Sequence, residues 1–175
     1  MDYVNTKENY RGHYLDGMNR FSISVNSNFS EPVQAGIHAQ FGPHIARYED
    51  PPVLGDGLNY TGWIDIKPTS RMMITQSYRY SSLKRQDTGE ELFSGYIYRG
   101  RMNYQFTREL YLRLIVQYND FSQNLSIEPL LSYELNPFSI FYIGSGHNYG
   151  EIGDPSEFTQ TSRQFFLKFQ YLFRM

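Results

Sequence analysis

The final eleven residues of the chain, 165–175, alternate apolar and polar side chains along almost their whole length. The apolar set, which is rich in phenylalanine, consists of Phe165, Leu167, Phe169, Tyr171, Phe173 and Met175. The intervening set consists of Phe166, Lys168, Gln170, Leu172 and Arg174. Because successive side chains of a β-strand point to opposite faces, this segment predicts a strand with one aromatic, apolar face and one mostly polar face.

The same period of two recurs along the chain. Five further segments show it clearly: 21–29, 33–41, 96–106, 110–118 and 125–135. Three segments fit less cleanly, at 60–67, 71–81 and 138–149, and a doubtful first strand falls within 2–11. Few runs match the helical spacing i, i+3, i+4 and i+7, and glycine and proline occur throughout. The pattern predicts an all-β chain with nine clear strands and one doubtful strand.

The composition favours alternating strands over spanning helices. Aromatic residues make up 17% of the chain, yet its mean hydropathy is −0.55, so large side chains are interleaved with polar ones. No run of about eighteen apolar residues is present, which excludes a membrane-spanning helix. A strand of a membrane barrel needs only about 9–11 residues with every second one apolar. The composition therefore permits a membrane-spanning sheet.

Charge, cysteine content and the first residues exclude several classes of protein. A net charge of −2 gives no basic footprint for nucleic acid. The absence of cysteine excludes disulfides, thiolate metal sites and cysteine nucleophiles. Residues 1–7 have neither the basic nor the apolar region of a signal peptide. For an exported barrel we therefore expect a mature or truncated chain, or the C-terminal piece of a longer protein.

The predicted connections alternate between short and long. Tight turns are expected at 30–32, 68–70, 107–109 and 136–137. Longer polar links are expected at 11–19, 47–58, 82–91 and 150–161, with one short link near 120–123. Up-and-down transmembrane barrels have short periplasmic turns and longer outer loops. The pattern predicts an antiparallel up-and-down transmembrane β-barrel of about ten strands, as a single domain over 1–175 and part of a larger barrel.

The last strand resembles the closing strand of bacterial outer-membrane β-barrels. In those proteins an aromatic-rich final strand is the mark that the barrel assembly machinery reads. In this chain the resemblance implies that the signal is formed by Phe169, Tyr171, Phe173 and Met175.

The last third of the chain also resembles the barrel end of the "domain of unknown function 5916" family. Four segments and a Lys-x-x-Tyr-Leu-Phe-Arg ending carry the resemblance: 112–119 (LRLIVQYN), 130–137 (LLSYELNP), 141–144 (FYIG) and 163–174 (RQFFLKFQYLFR). Members, known mainly from Bacteroidota, combine a signal peptide, an N-terminal domain like carbohydrate-binding module family 9 and a C-terminal outer-membrane barrel. The resemblance implies a Gram-negative outer-membrane location without an established reaction. It carries over no carbohydrate-binding residue.

Charged residues occupy polar positions of the predicted strands. They are Asp65, Lys67, Arg79, Arg99, Arg101, Arg113, Glu128, Glu134 and Lys168. In a barrel these side chains would line a lumen that selects a solute or holds a plug. Alternatively, they would form a cross-strand network that fills a narrow barrel. Because like charges repel across a hairpin, we expect the neighbouring arginines to meet Glu128, Glu134 or an anion.

Catalytic and cofactor motifs give no candidate. The four histidines, of which His38 is expected to point inward and the others to lie at or near loops, lack the spacing of metal ligands: His13, His38, His44 and His147. No calcium loop, phosphate loop or nucleophile elbow is present. We therefore nominate no catalytic residue, metal site or cofactor.

Three functions are compatible with the sequence. The first is an outer-membrane barrel for passive solute passage, or the anchor of a surface or periplasmic carbohydrate-binding module. Its expected partners are outer-membrane lipid and lipopolysaccharide, the barrel assembly machinery and other outer-membrane complex subunits. The second is an outer-membrane hydrolase with a rim site near His147 or Asp154. The third is a soluble β-barrel or sandwich binder, whose outward face would be polar.

Overall fold

The computed structural model describes residues 1–151 and 157–173. Within these ranges the strands form one antiparallel sheet in chain order, so the predicted all-β, up-and-down architecture is confirmed. The doubtful first strand is present. The ten strands are β1 (Asp2–Tyr10), β2 (His13–Ser30), β3 (Val33–Ala46), β4 (Val53–Thr69), β5 (Met72–Arg85), β6 (Glu91–Gln105), β7 (Leu110–Asn119), β8 (Asn124–Asn136), β9 (Ser139–Glu151) and β10 (Phe158–Tyr171).

The described residues contain no helix of the length and apolar character needed to cross a membrane.

The connections sort onto two ends of the sheet. The turn end carries four short connections: 31–32, 70–71, 106–109 and 137–138. The loop end carries 11–12, 47–52, 86–90 and 120–123, and it is also where β9 ends at Glu151 and β10 begins at Phe158. The loops at 47–52 and 86–90 are shorter than predicted, because strand pairing continues into the polar flanks of both.

The predicted long link at 11–19 is wrong. The connection is a two-residue turn at Arg11 and Gly12, and β2 begins at His13. Both turn residues have positive φ, 50° and 80°, which is the backbone conformation of the tight turns that favour hairpins. Residues 13–19 show no clean alternation, yet pairing with β1 holds them in the sheet.

The strands differ in length. β2 has 18 residues and β4 has 17, whereas β7 has only 10. Since β2 and β7 both have one end at the turn end, the extra length of β2 lies toward the loop end.

The register shows that the strands are inclined to the line of turns. One row of directly paired residues passes through Val33, Ile66, Ile74, Met102, Leu114 and Pro129. The row starts beside the 31–32 turn and finishes eight residues short of the 137–138 turn. The two turns, one between β2 and β3 and the other between β8 and β9, are six strand spacings apart, and the row shifts by about seven residues relative to the line that joins them. For a rise of about 3.4 Å per residue and a strand spacing of about 4.8 Å, this corresponds to an inclination of about 40°. Strands of β-barrels are typically inclined by 35–45°.

The two faces of the sheet are chemically distinct. The row just described defines the apolar face. The adjacent row, one residue along each strand, defines the polar face and contains Gln34, Asp65, Thr75, Arg101, Ile115 and Glu128.

The sheet curls toward its polar face. The four buried apolar side chains lie on this face, with 3–6% of their surface exposed: Met18, Ala46, Leu83 and Ile115. Side chains of the apolar face are far more exposed, as at Ile143 (59%), Phe165 (67%) and Leu167 (73%). Burial on the polar side and exposure on the apolar side are the reverse of the arrangement in a water-soluble barrel.

Candidate functional site

The structure places all nine of the predicted charged residues on the polar face. Asp65, Arg101 and Glu128 belong to the row that defines this face. The others lie an even number of residues from that row on their own strands, or pair with residues that do. These are Lys67, Arg79, Arg99, Arg113, Glu134 and Lys168.

Four of these residues form a continuous series, the arginine track, made of Arg79, Arg99, Arg101 and Arg113. Arg79 on β5 pairs with Ile97, so it is the diagonal neighbour of Arg99. Arg99 and Arg101 share one face of β6. Arg101 pairs with Ile115, so Arg113 on β7 is in turn its diagonal neighbour. The track therefore descends from the middle of the polar face toward the turn end.

The expected ion pairs of these arginines with Glu128 and Glu134 are absent from the part of the chain that the structure describes. Register separates Glu128 from Arg101, because Glu128 pairs with Ile115. Glu128 is the diagonal neighbour of Arg113 but forms no ion pair with it. Glu134 lies near the turn end, where its backbone N–H donates a hydrogen bond to the carbonyl of Glu109. Of the three expected partners, the two carboxylates therefore form no ion pair with the arginines, and the third, an anion, stays a prediction.

A single hydrogen bond tethers the track within the described residues. Arg99 Nη1 donates to Gln117 Oε1 at 3.2 Å. Gln117 lies directly opposite Arg99 on β7, in a row of mainly polar side chains that crosses nine strands. The row contains Asn26, Gly36, Trp63, Ser77, Arg99, Gln117, Ser126, Asn148 and Ser162.

A cavity of about 1020 Å³ lies at the turn end of the polar face. Its walls come from six successive strands, β4 to β9, which a flat sheet could not provide. Its charged lining consists of Lys67, Arg71, Arg113 and Glu31, so cations outnumber acids. Arg113, the last member of the arginine track, therefore opens into this cavity. Spacing along single strands did not reveal it, because the cavity depends on how six strands curve together.

Large aromatic side chains of the polar face lie flat on neighbouring strands. The indole of Trp63 covers Gly36, where an added Cβ would come within 2.6 Å of Trp63 Nε1 and closer still to Asn26 Oδ1. The ring of Phe166 covers Gly144 in the same way. Because glycine has no side chain, the rings rest against the wall and leave the space above it free.

The ion pairs of the described residues all lie at the loop end. Arg85 bridges two loops, since it contacts Glu49 in 47–52 and Glu90 in 86–90, the latter at 3.7 Å. The others are Arg47 with Glu8 (2.7 Å) and Lys7 with Asp16 (3.1 Å). The hydrogen bond to Glu8 raises the pKa of the Arg47 guanidinium. Lys7, Arg47 and Arg85 at this end are thus each paired with an acidic residue.

Two aromatic belts border an aliphatic band on the apolar face. Toward the loop end, neighbouring tyrosine rings of β4 to β7 lie with their centroids 5.1–5.9 Å apart: Tyr60, Tyr78, Tyr80, Tyr96 and Tyr118. Toward the turn end lie Tyr104, Tyr133, Phe141, Phe169 and Tyr171, with Phe141 and Phe169 at 4.6 Å. Between the belts lie Ile74, Met102, Leu114, Ile143 and Leu167.

The height of this band follows from the strand geometry. Tyr96 and Tyr104 lie eight residues apart on β6, about 27 Å along a strand that rises about 3.4 Å per residue. At an inclination of about 40°, this corresponds to a height of about 21 Å measured perpendicular to the line of turns. The apolar band on outer-membrane barrels is about 25 Å high, which is close to this value.

The histidines form no site. His38 lies on the polar face, as expected, where its Nδ1 is 2.8 Å from Ser24 Oγ. The rim position expected for His147 is wrong, because it lies within β9 on the apolar face, opposite Ile127 and Arg163. The described residues contain no cluster of three or more potential metal ligands. Asp154, the other proposed rim residue, lies outside the described residues.

The proposed assembly signal is only partly described. Phe169 and Tyr171 lie on the apolar face of β10, and Phe173 follows the strand with 79% of its surface exposed. Met175 lies outside the described residues.

Comparison with known proteins gives no assignment: the sequence matches no protein-family model and no curated protein. The resemblance of residues 110–175 to the "domain of unknown function 5916" family therefore stays a prediction.

Proposed function

We propose that this chain is the wall of a Gram-negative outer-membrane β-barrel, with its apolar face toward lipid and its polar face around a lumen. Its work would be passive solute passage, or anchoring of a carbohydrate-binding module in the membrane. The observation that carries the proposal is the aliphatic band between two aromatic belts. Tyrosine and phenylalanine favour the two membrane interfaces, where an apolar body and a polar tip are both accommodated.

The direction of curvature supports lipid on the outside. A soluble barrel buries its apolar face and exposes its polar one, whereas this sheet curls the other way. Leaving side chains such as Ile143, Phe165 and Leu167 in water would forgo about 25 cal/mol for each Å² of apolar surface. Contiguous exposed apolar surface of this extent marks a surface that meets a membrane or a partner.

Closure of the sheet is a requirement of the proposal. Among residues 1–151 and 157–173 no pairing joins β1 to β10. In hydrocarbon each unpaired backbone N–H and C=O is costly, so both edges must find partners. Either β1 pairs with β10 in a ten-stranded barrel, or further strands complete a larger one, as the family resemblance implies.

The rim hydrolase has less support. His147, its nearest candidate, faces the apolar side at the level of Tyr118, and its Nε2 lies 3.0 Å from Ser145 Oγ. That pair has no carboxylate partner within the described residues. A soluble binder is opposed by the direction of curvature.

The first experiment is a gel-mobility assay on outer-membrane fractions of the source cells. Boiled and unboiled samples are probed with an antibody against residues 163–175. We expect a membrane-associated band that shifts on boiling, because a closed barrel resists unfolding by detergent at room temperature. The boiled mass then gives the size of the parent chain. A band that stays in the soluble fraction and does not shift would refute the barrel and favour the soluble binder.

A further inference from the structure

Positive charge dominates the exposed part of the polar face. Among the nine predicted charged residues of this face, the six cationic side chains are all exposed: Lys67, Arg79, Arg99, Arg101, Arg113 and Lys168. Of the three acidic residues among the nine, only Glu128 is exposed, whereas Asp65 and Glu134 are half-buried. Asp65 Oδ1 is enclosed by protein and accepts no hydrogen bond from the described residues. Water above this face therefore meets mainly cations, although the whole chain carries a charge of −2.

The spacing of the arginine track suits a mobile anion. Successive members have Cα atoms about 7–8 Å apart, as expected for second neighbours along a strand and diagonal neighbours across one. An arginine side chain reaches several ångströms from its Cα. An anion leaving one guanidinium therefore comes within reach of the next before it is fully hydrated again.

The guanidinium groups also have hydrogen-bond donors to spare. Each carries five N–H donors in a planar fork that matches the oxygens of carboxylate and phosphate. Arg99 uses one of its donors on Gln117. The side chains of Arg79, Arg101 and Arg113 donate no hydrogen bond to the described residues and form no ion pair with them.

The arginine track leads into the cavity at the turn end, whose charged side chains are also mainly positive. Arg113 lies in the wall of the 1020 Å³ cavity, together with Lys67 and Arg71. Glu31 is the one acidic residue among those that line it. An anion that reaches the lower end of the track thus enters a cavity that also attracts it.

We infer that the arginine track binds small oxyanions, solutes that carry carboxylate, phosphate or sulfate groups, and passes them along the lumen in preference to cations. Rows of arginine and lysine are the means by which anion-selective pores favour their ions. The inference rests on the proposed function, since it deepens solute passage into anion passage.

The test is ion selectivity of the full chain, purified in detergent and inserted into planar bilayers under a potassium chloride gradient. We expect a reversal potential of the sign that indicates anion preference. In the double variant Arg99→Glu, Arg101→Glu the anion-to-cation permeability ratio should fall several-fold and drop below one. Arg108→Gln is the control, because it removes a positive charge from the 106–109 turn and should leave the ratio unchanged. Cation preference in the wild type would overturn the inference while leaving the barrel intact.

A second measurement needs no conduction. Trp63 is the sole tryptophan and shares a cross-strand row with Arg99, two strands away. Inorganic phosphate or sulfate, titrated at constant ionic strength, should change its fluorescence saturably in the wild type and not in Arg99→Gln, Arg101→Gln. Boiling-sensitive gel mobility shows that each variant is folded. Failure of the gel assay counts against the barrel itself, whereas a folded protein without saturable response or anion preference refutes anion binding alone.

Discussion

The two faces of the sheet share one backbone but differ in what their side chains contact. On the polar face, apolar residues such as Ile115 are buried beneath their neighbours and the arginines project above them. On the apolar face, Ile143 and Leu167 project outward with most of their surface exposed. Alternation along a strand specifies that two faces exist, and only the curvature of the sheet decides which of them encloses space. Burial therefore says more about the surroundings of this protein than hydropathy does.

The strongest test of the difference between the two faces is to alter two adjacent residues, one on each face. One variant places a charge on the apolar face, and the other removes a charge from the polar face. Leu114→Arg places a charge in the middle of the apolar face, and we expect a loss of about 2–4 kcal/mol if that face meets lipid. Arg113→Leu, one residue away on the polar face, should leave assembly intact. The measurement is the fraction of each variant that reaches the heat-modifiable form. Normal assembly of Leu114→Arg would show that lipid does not cover this face.

The buried side chains of the polar face provide the next test. Ile115 is 6% exposed, so Ile115→Ala should lower the free energy of unfolding by about 2–5 kcal/mol through lost packing and a residual cavity. Ile115→Val removes only one methyl group and should cost about 0.5–1.5 kcal/mol. Denaturant titration in detergent measures both. Equal small losses would mean that this face is not packed around Ile115.

Two glycines on adjacent strands, one on each face, allow the space beside the backbone to be compared between the faces. Gly36→Ala meets the Trp63 indole and the Asn26 side chain, so we expect a loss of about 1–3 kcal/mol from overpacking. Gly62→Ala on the apolar face meets nothing closer than the Gly36 carbonyl oxygen at 4.0 Å and should be neutral. Unfolding monitored through Trp63 fluorescence gives both values, and a Gly36→Ala variant as stable as the wild type would contradict the packing of the indole.

The smallest effect is expected at the loop end. Arg85→Gln removes the contacts to Glu49 and Glu90, and we expect a loss of about 1 kcal/mol, since all three side chains keep part of their surface in water and ion pairs of this kind contribute little. Limited proteolysis should nevertheless cleave loops 47–52 and 86–90 faster, because the contacts that join the two loops through the Arg85 side chain are then lost. Unchanged cleavage would mean that Arg85 does not hold these loops.

The strand pattern could be read from the sequence because it depends on local alternation. In segments such as 96–106 and 110–118 the alternation along the sequence is enough to assign each residue to one of two faces. The structure has the same two faces. Segment 13–19 could not be recognised, since its place in the sheet comes from pairing with β1 and from a turn in which Arg11 adopts positive φ. Loop lengths were overestimated for the same reason: polar residues remain in strands when a neighbour supplies hydrogen bonds.

The candidate site could be predicted as a set of residues but not as an arrangement. Each charged residue was assigned its side of a strand by counting. Which charges meet depends on register, and register places Ile115 rather than an acid between Arg101 and Glu128. The cavity beside Arg113 depends in addition on how six strands curve together. This curvature cannot be predicted from the residues of any one strand.

The unequal strands give the molecule a slanted rim. From a common level at the turn end, the 18 residues of β2 rise about 20 Å further than the 10 residues of β7, taking about 3.4 Å per residue and an inclination of about 40°. In the outer-membrane barrel that we propose, the mouth would therefore be high on the β2 side and low on the β7 side. A solute would reach the opening directly from the β7 side, whereas on the β2 side the extended strand would stand in its way.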